Sequence, residues 1–228
     1  MMDIAIHPAA YNGKDMRAWL EERPYYTLDD ASVLYSSEAT GVEFCFNFYD
    51  PGFYPPDVPH QPHVTFYLEY FRPHVFALEA EPELAGFLRR FNCRVEDVEN
   101  TEAIGIAPLD GPYSREAFLA RWNAGNRAAF RQEAGSRAPP PWPADPALLD
   151  AIWKWNYGRA ALQQTVGNQV FVPRIIWARP DGADDPVPAS MWTNRAPTMI
   201  PESLVTHIAL VRKPRHGLAG MLGLSRPN

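Results

Sequence analysis

Two stretches of strict apolar–polar alternation constrain this chain more than any other feature. In GVEFCFNFYD (residues 41–50), Val42, Phe44, Phe46 and Phe48 point one way, and Glu43, Cys45, Asn47 and Tyr49 point the other. In HVTFYLEYF (63–71), Val64, Phe66, Leu68 and Tyr70 oppose Thr65, Tyr67, Glu69 and Phe71. Side chains alternate between the faces of an extended strand, so a period of two marks a strand with one buried face. The two strands are expected to pair antiparallel, joined by about 14 residues that include DPGFYPPDVPHQP (50–62). That tip is longer than an ordinary hairpin loop, and long ordered loops are often functional. Its prolines fix φ and make it stiff, and it carries Phe53 and Tyr54.

The rest of the chain adds helices and further strands. EPELAGFLRRF (81–91) predicts a helix with Pro82 near its first turn and Leu84, Phe87, Leu88 and Phe91 on one face. CRVEDVEN (93–100) predicts a short strand and turn. The segment 114–132 predicts a helix capped by Ser114, with Phe118, Trp122, Ala129 and Phe130 as its stripe. The segment 145–167 predicts another, capped by Asp145 with Pro146 at the first helical position. QVFVPRIIWA (169–178) and THIALVRK (206–213) predict strands. Strands, then helices, then strands again indicate an α+β fold: a mostly antiparallel sheet with helices packed on one side. RWNAGNRAAF and KWNYGRAAL, 33 residues apart, echo each other. Their Trp122 and Trp155 read as core anchors, and Gly125 and Gly158 as sites of close helix packing or helix termination.

The 228 residues are expected to form a single domain (1–228), with a proline-rich connection at 138–146 and a basic C-terminal tail from about 213. The 24 prolines are about twice the usual ~5% share. No apolar run approaches the ~20 residues of a membrane-spanning helix, and the first residues lack the basic and apolar regions of a secretory signal. Cys45 and Cys93 make no disulfide framework, which implies a reducing, cytoplasmic setting. Both read as buried thiols rather than nucleophiles.

Charge is uneven. Residues 1–111 carry 19 acids and 7 bases, whereas 112–180 carry 4 acids and 9 bases. An acidic half argues against direct nucleic-acid binding, which Lys and Arg drive. It suits a basic protein partner instead, because complementary fields steer association. Two acidic groups stand out in turn-like sequence: Glu96, Asp97, Glu99 and Glu102, and Asp181, Asp184 and Asp185.

Catalytic signatures are missing from the sequence. There is no Gly-x-Ser-x-Gly elbow, no phosphate-binding Gly-x-x-x-x-Gly-Lys, no Gly-x-Gly-x-x-Gly and no Cys-x-x-Cys. His60, His63 and His74 raise the alternative of a metal-dependent hydrolase. A strand rises about 3.3 Å per residue, so a straight strand from 63 to 74 would separate its ends by up to roughly 36 Å. Three ligands so spread do not converge on one ion, and the expectation is no metal, no cofactor and no catalytic residue.

The segments GVEFCFNFYD, YFRPHVFALEAEPELAGFL and DGPYSREAFLARWNAGN together resemble immunity proteins of bacterial polymorphic toxin and type VI secretion systems, in particular the group paired with restriction-endonuclease-fold toxins. The resemblance spans roughly residues 40–130. It implies a non-enzymatic cytoplasmic antidote whose partner is a cognate toxin protein, a basic nuclease domain encoded by a neighbouring gene. The acidic and aromatic residues named above (Phe53, Tyr54, Glu96, Asp97, Glu99, Glu102, Asp181, Asp184, Asp185) are the candidate partner-binding set, read from charge, stiffness and aromaticity. A secretion-system adaptor or chaperone that binds without neutralising is the other interaction-based alternative.

Overall fold

In a computed structural model of the chain, the described residues are 1–29, 31–49, 63–98, 108–109, 112–134, 145–180, 182, 186–192 and 197–210. The chain divides into two compact units, Met1–Asp150 and Ala151–Asn228. The division falls just past the proline-rich stretch, and each unit is taken by itself.

The first unit is built on a six-stranded sheet. In chain order its elements are β1 (Met2–Pro8), α1 (Gly13–Glu21), β2 (Tyr26–Asp29), β3 (Ser32–Ser36), β4 (Glu43–Phe48), β5 (Val64–Leu68), α2 (Val75–Arg90), β6 (Cys93–Asp97) and α3 (Arg115–Ala134). The spatial order is β2-β3-β4-β5-β1-β6, antiparallel throughout. The expected pair is there, with Phe46 opposite Phe66 and Asn47 opposite Thr65. Val42, Phe44, Phe46, Phe48, Val64, Phe66, Leu68 and Tyr70 are all buried, as the alternation requires. The connecting loop, with Phe53 and Tyr54, lies outside the described residues.

Aromatic rings knit the buried face of this sheet to the helices. Phe46 and Phe66 lie 5.2 Å apart; Phe46 meets Phe87 of α2 at 4.9 Å, and Phe66 meets Phe118 of α3 at 6.2 Å. Trp19 of α1 packs on Phe87 at 6.1 Å. Such ring pairs contribute about 0.5–1.5 kcal/mol each beyond the area they bury. The α+β reading with a mostly antiparallel sheet therefore holds.

Local signals explain most helix limits. Asn12 caps α1 by accepting from the Asp15 N–H, and Ser114 caps α3 by accepting from the Ala117 N–H at 3.1 Å. α2 differs from expectation. It begins at Val75, so Pro82 sits in its interior rather than its first turn. Proline there forfeits a helical hydrogen bond and strains the preceding turn. The offsetting gain is burial on both sides of it: Val75, Ala77 and Ala80 before, Leu84, Phe87 and Leu88 after.

The second unit contains α4 (Pro146–Val166) from Ala151 onward, with β7 (Ile175–Ala178), β8 (Val187–Trp192) and β9 (His207–Leu210). β7 and β8 pair antiparallel, β8 and β9 parallel. Asn156, buried on α4, grips β7 through one residue: its Oδ1 accepts from the Ile175 N–H and its Nδ2 donates to the Ile175 carbonyl, both at 2.9 Å.

The sequence echo has two different outcomes. Trp122 is fully buried, while Trp155 is half-buried and donates to the Pro173 carbonyl at 2.9 Å. A Cβ on Gly125 would overlap the hydroxyl and ring of Tyr70, whereas one on Gly158 would meet nothing within 4 Å. Gly158 neither packs closely nor ends its helix, since α4 runs on to Val166. Alanine is favoured over glycine in a helix by about 0.8–1.0 kcal/mol, and overpacking costs about 1–3 kcal/mol. Gly158→Ala should therefore raise stability by up to about 1 kcal/mol. Gly125→Ala should lower it, by up to about 2 kcal/mol after the propensity gain is subtracted. Urea unfolding of the two variants checks the opposite signs.

Candidate functional site

Of the candidate partner-binding residues, Glu96 and Asp97 fall within the described residues. Phe53, Tyr54, Glu99, Glu102, Asp181, Asp184 and Asp185 lie outside them. Adjacent positions on β6 send the two acids to opposite faces of the sheet. The Glu96 side chain is exposed and meets His7 Nε2 at 2.9 Å. Asp97 points inward, and its carboxylate is 0% exposed. This corrects the reading of Asp97 as a surface charge. The cause is strand alternation: Val95 and Asp97 share the buried face, and Asp97 finds a cation there.

That cation is Arg121 of α3, itself buried. Its Nε donates to Asp97 Oδ2 at 2.5 Å and its Nη2 to Oδ1 at 3.2 Å, a two-pronged pairing. Arg121 Nη1 donates to the Tyr70 hydroxyl at 2.8 Å, and the Leu109 N–H donates to Asp97 Oδ2 at 3.2 Å. The charges are compensated and their remaining hydrogen-bonding capacity is largely used.

Three further acids, evenly spaced on α2, turn inward onto tyrosines. Glu79 accepts from the Tyr35 and Thr40 hydroxyls at 2.8 and 2.9 Å. Glu81 accepts from Tyr113 at 3.1 Å and lies 3.5 Å from Arg115 Nε. Glu83 accepts from Tyr26 at 3.1 Å and from Arg23 at 2.7 Å. Burial, reinforced by the neighbouring carboxylates, pushes the Tyr26 and Tyr113 phenols well above their usual range. They remain donors at any ordinary pH. On the sheet's other face, burial pushes Tyr67 up to about 12, beside a Tyr49 hydroxyl 3.3 Å away.

His63 and His74 make separate contacts. His63 stacks on Tyr11 with ring centroids 4.5 Å apart, and His74 binds Asp150 at 2.5 Å ahead of α2. His60 lies outside the described residues. Among the described residues, no group of three His, Cys, Asp or Glu side chains could hold a metal ion, and no helix is long and apolar enough to cross a membrane.

Exposed acids and exposed apolar side chains do gather at the β2–β3 end of the sheet. Glu21, Glu22, Asp29 and Glu38 are exposed. Beside them in the chain, Tyr25, Leu28 and Leu34 are 45%, 46% and 38% exposed. This grouping escaped sequence reasoning, because short strands at 26–29 and 32–36 have too few residues to show a period. The available signal was Glu-Glu-Arg-Pro-Tyr-Tyr, where acids meet aromatics with no second base. Comparison with protein-family models, curated proteins and solved structures gives no match.

Two outcomes are expected. Removing one member of a buried ion pair strands the other, at a cost of about 3–5 kcal/mol. Asp97→Asn and Arg121→Met should each lose about that much in urea unfolding, and the double variant should lose less than their sum. The second outcome concerns pH. Unfolded tyrosine ionises near pH 10, whereas folded Tyr26, Tyr67 and Tyr113 hold their protons to higher pH. Their contribution is complete below about pH 10 and is lost as the pH climbs through the folded values. Stability should fall between pH 10 and 12, and less steeply in Tyr26→Phe, as read by alkaline denaturation.

Proposed function

We propose that this chain is a cytoplasmic immunity protein: a non-enzymatic antidote that binds and neutralises a cognate toxin, a basic nuclease domain encoded by a neighbouring gene. The observation that carries the reading is the charge asymmetry, 19 acids against 7 bases over residues 1–111. The resemblance of residues 40–130 to immunity proteins points the same way.

The mechanism is occlusion. A nuclease must present a basic groove to phosphate, and an acidic protein surface competes for that groove. Complementary charge raises the rate of encounter. Phe53 and Tyr54, in the proline-rich sequence 50–62, are aromatics of the type that dominates interface energetics. No cofactor, metal or membrane enters this mechanism. Asp97 has no place in the contact surface, since its carboxylate is committed to Arg121.

The direct test titrates the protein into the polypeptide encoded by the adjacent gene, following nuclease activity and heat together. Stoichiometric loss of activity with nanomolar or tighter binding is the expected result; absence of binding removes the reading. The charge-steering component is tested separately. Neutralising Glu96, Glu99 and Glu102 together, with Asp97 left intact, should slow association about tenfold at low salt and much less at high salt. Stopped-flow kinetics at two ionic strengths read the difference, and unchanged rates take that cluster out of the interface.

A further inference from the structure

The six-stranded sheet has two edges of different character. β6 closes one; its exposed side chains, Arg94 and Glu96, are both charged, and the exposed apolar Val98 follows them just past its end. Charged side chains of this kind deter pairing with another chain. β2 forms the other edge, and the exposed side chains there include Tyr25, Leu28 and, on the adjoining strand, Leu34. An edge strand offers a row of backbone donors and acceptors, and apolar side chains beside that row favour an added strand instead of deterring one.

The register identifies which groups are on offer. Tyr26 lies opposite Tyr35, Thr27 opposite Leu34 and Leu28 opposite Val33. The Ser36 N–H donates to the Tyr25 carbonyl at 2.9 Å. Hydrogen-bonded and non-bonded pairs alternate along an antiparallel ladder. Positions 25, 27 and 29 therefore bond β3, while the N–H and C=O groups of Tyr26 and Leu28 point away from it. Those groups could accept one short extended segment. On one face that segment would meet Leu28, and on the other Thr27 and Leu34.

Charge and backbone strain define the edge further. Glu21, Glu22 and Asp29 flank it, all exposed. Arg23, the only base between residues 21 and 29, is bound to Glu83 at 2.7 Å. A segment docking here would meet net negative charge, which favours Lys and Arg in the occupant. Tyr25 has φ +72°, a left-handed conformation that is rare for a bulky side chain and is retained only where surrounding contacts enforce it. That backbone turn holds its ring against Tyr35 at 5.8 Å while leaving it nearly half exposed.

We infer that the β2 edge forms part of the toxin-binding surface, by adding to the sheet one extended basic segment of the toxin. The inference rests on the antidote reading and assigns it a surface.

The experiment uses the full chain and the polypeptide encoded by the adjacent gene. Leu28→Pro removes an N–H that serves no bond within the sheet, and proline is tolerated on an edge where its N–H side faces solvent. Leu28→Lys keeps the backbone and sets a positive charge against a basic occupant. Both should melt within a few degrees of the parent and bind the toxin at least tenfold more weakly. In the unmutated protein, hydrogen exchange at the Tyr26 and Leu28 amides should slow markedly on complex formation. Tight binding that leaves those amides unprotected, or that both variants match within twofold, overturns the edge assignment while the antidote reading stands. No binding by the unmutated protein overturns both.

Discussion

The two-pronged pair between Asp97 and Arg121 fixes more of the first unit than any apolar contact does. It joins the edge strand β6 to helix α3, and through Tyr70 it reaches the end of β5. Apolar packing is non-directional, so α3 could satisfy it at several rotations about its own axis. A buried guanidinium aimed at a buried carboxylate permits one. That rotation carries Phe118 and Trp122 into the core and presses Gly125 against Tyr70. It also sets Asn126 to accept from the Phe71 N–H at 2.7 Å and donate to the Arg72 carbonyl at 2.9 Å. Phe71 is held at φ +62° by that grip. Burying two charges is costly and is not in itself a source of stability; here its effect is to select a single arrangement.

The same pair shows why counting acids in a sequence overstates surface charge. Asp97 lies inside, and Glu79 and Glu81 are buried on α2, where tyrosine hydroxyls supply their hydrogen bonds. Tyrosine suits this use. Its ring packs with Phe44 or Phe118 while its hydroxyl donates to the carboxylate. The interior thus combines ring stacking with carboxylate satisfaction along one helix.

Legibility followed the length and strictness of each pattern. β4 and β5 were readable down to which residue faced which way, since four alternating apolar positions leave one solution. The Ser114 cap and the start of α4 at Pro146 were readable because capping chemistry is local. β1 (Met2–Pro8) was not read as a strand, and its place between β5 and β6 is a long-range choice that no local pattern encodes. β2 and β3 were too short to show a period. Pro82 misplaced the start of α2, because a proline normally marks a first turn and here tertiary burial overrides it. The inward turn of Asp97 was hidden for a different reason: its partner lies 24 positions away on another element.

Internal pairing also decides where charge remains available. The carboxylates nearest the middle of the unit face tyrosines and arginines, and Glu96 faces His7. Glu21, Glu22, Asp29 and Glu38 remain at the β2–β3 end, exposed. A field from these four is local, since screening limits exposed charges to about 8 Å at physiological salt. It would act on a partner already close to that end, and hardly at all on one approaching β6. The sheet therefore has a polarity that its antiparallel hydrogen bonding alone would not give it. One edge carries charges of both signs beside Val98, and the other combines backbone groups that face away from β3, apolar side chains and one sign of charge.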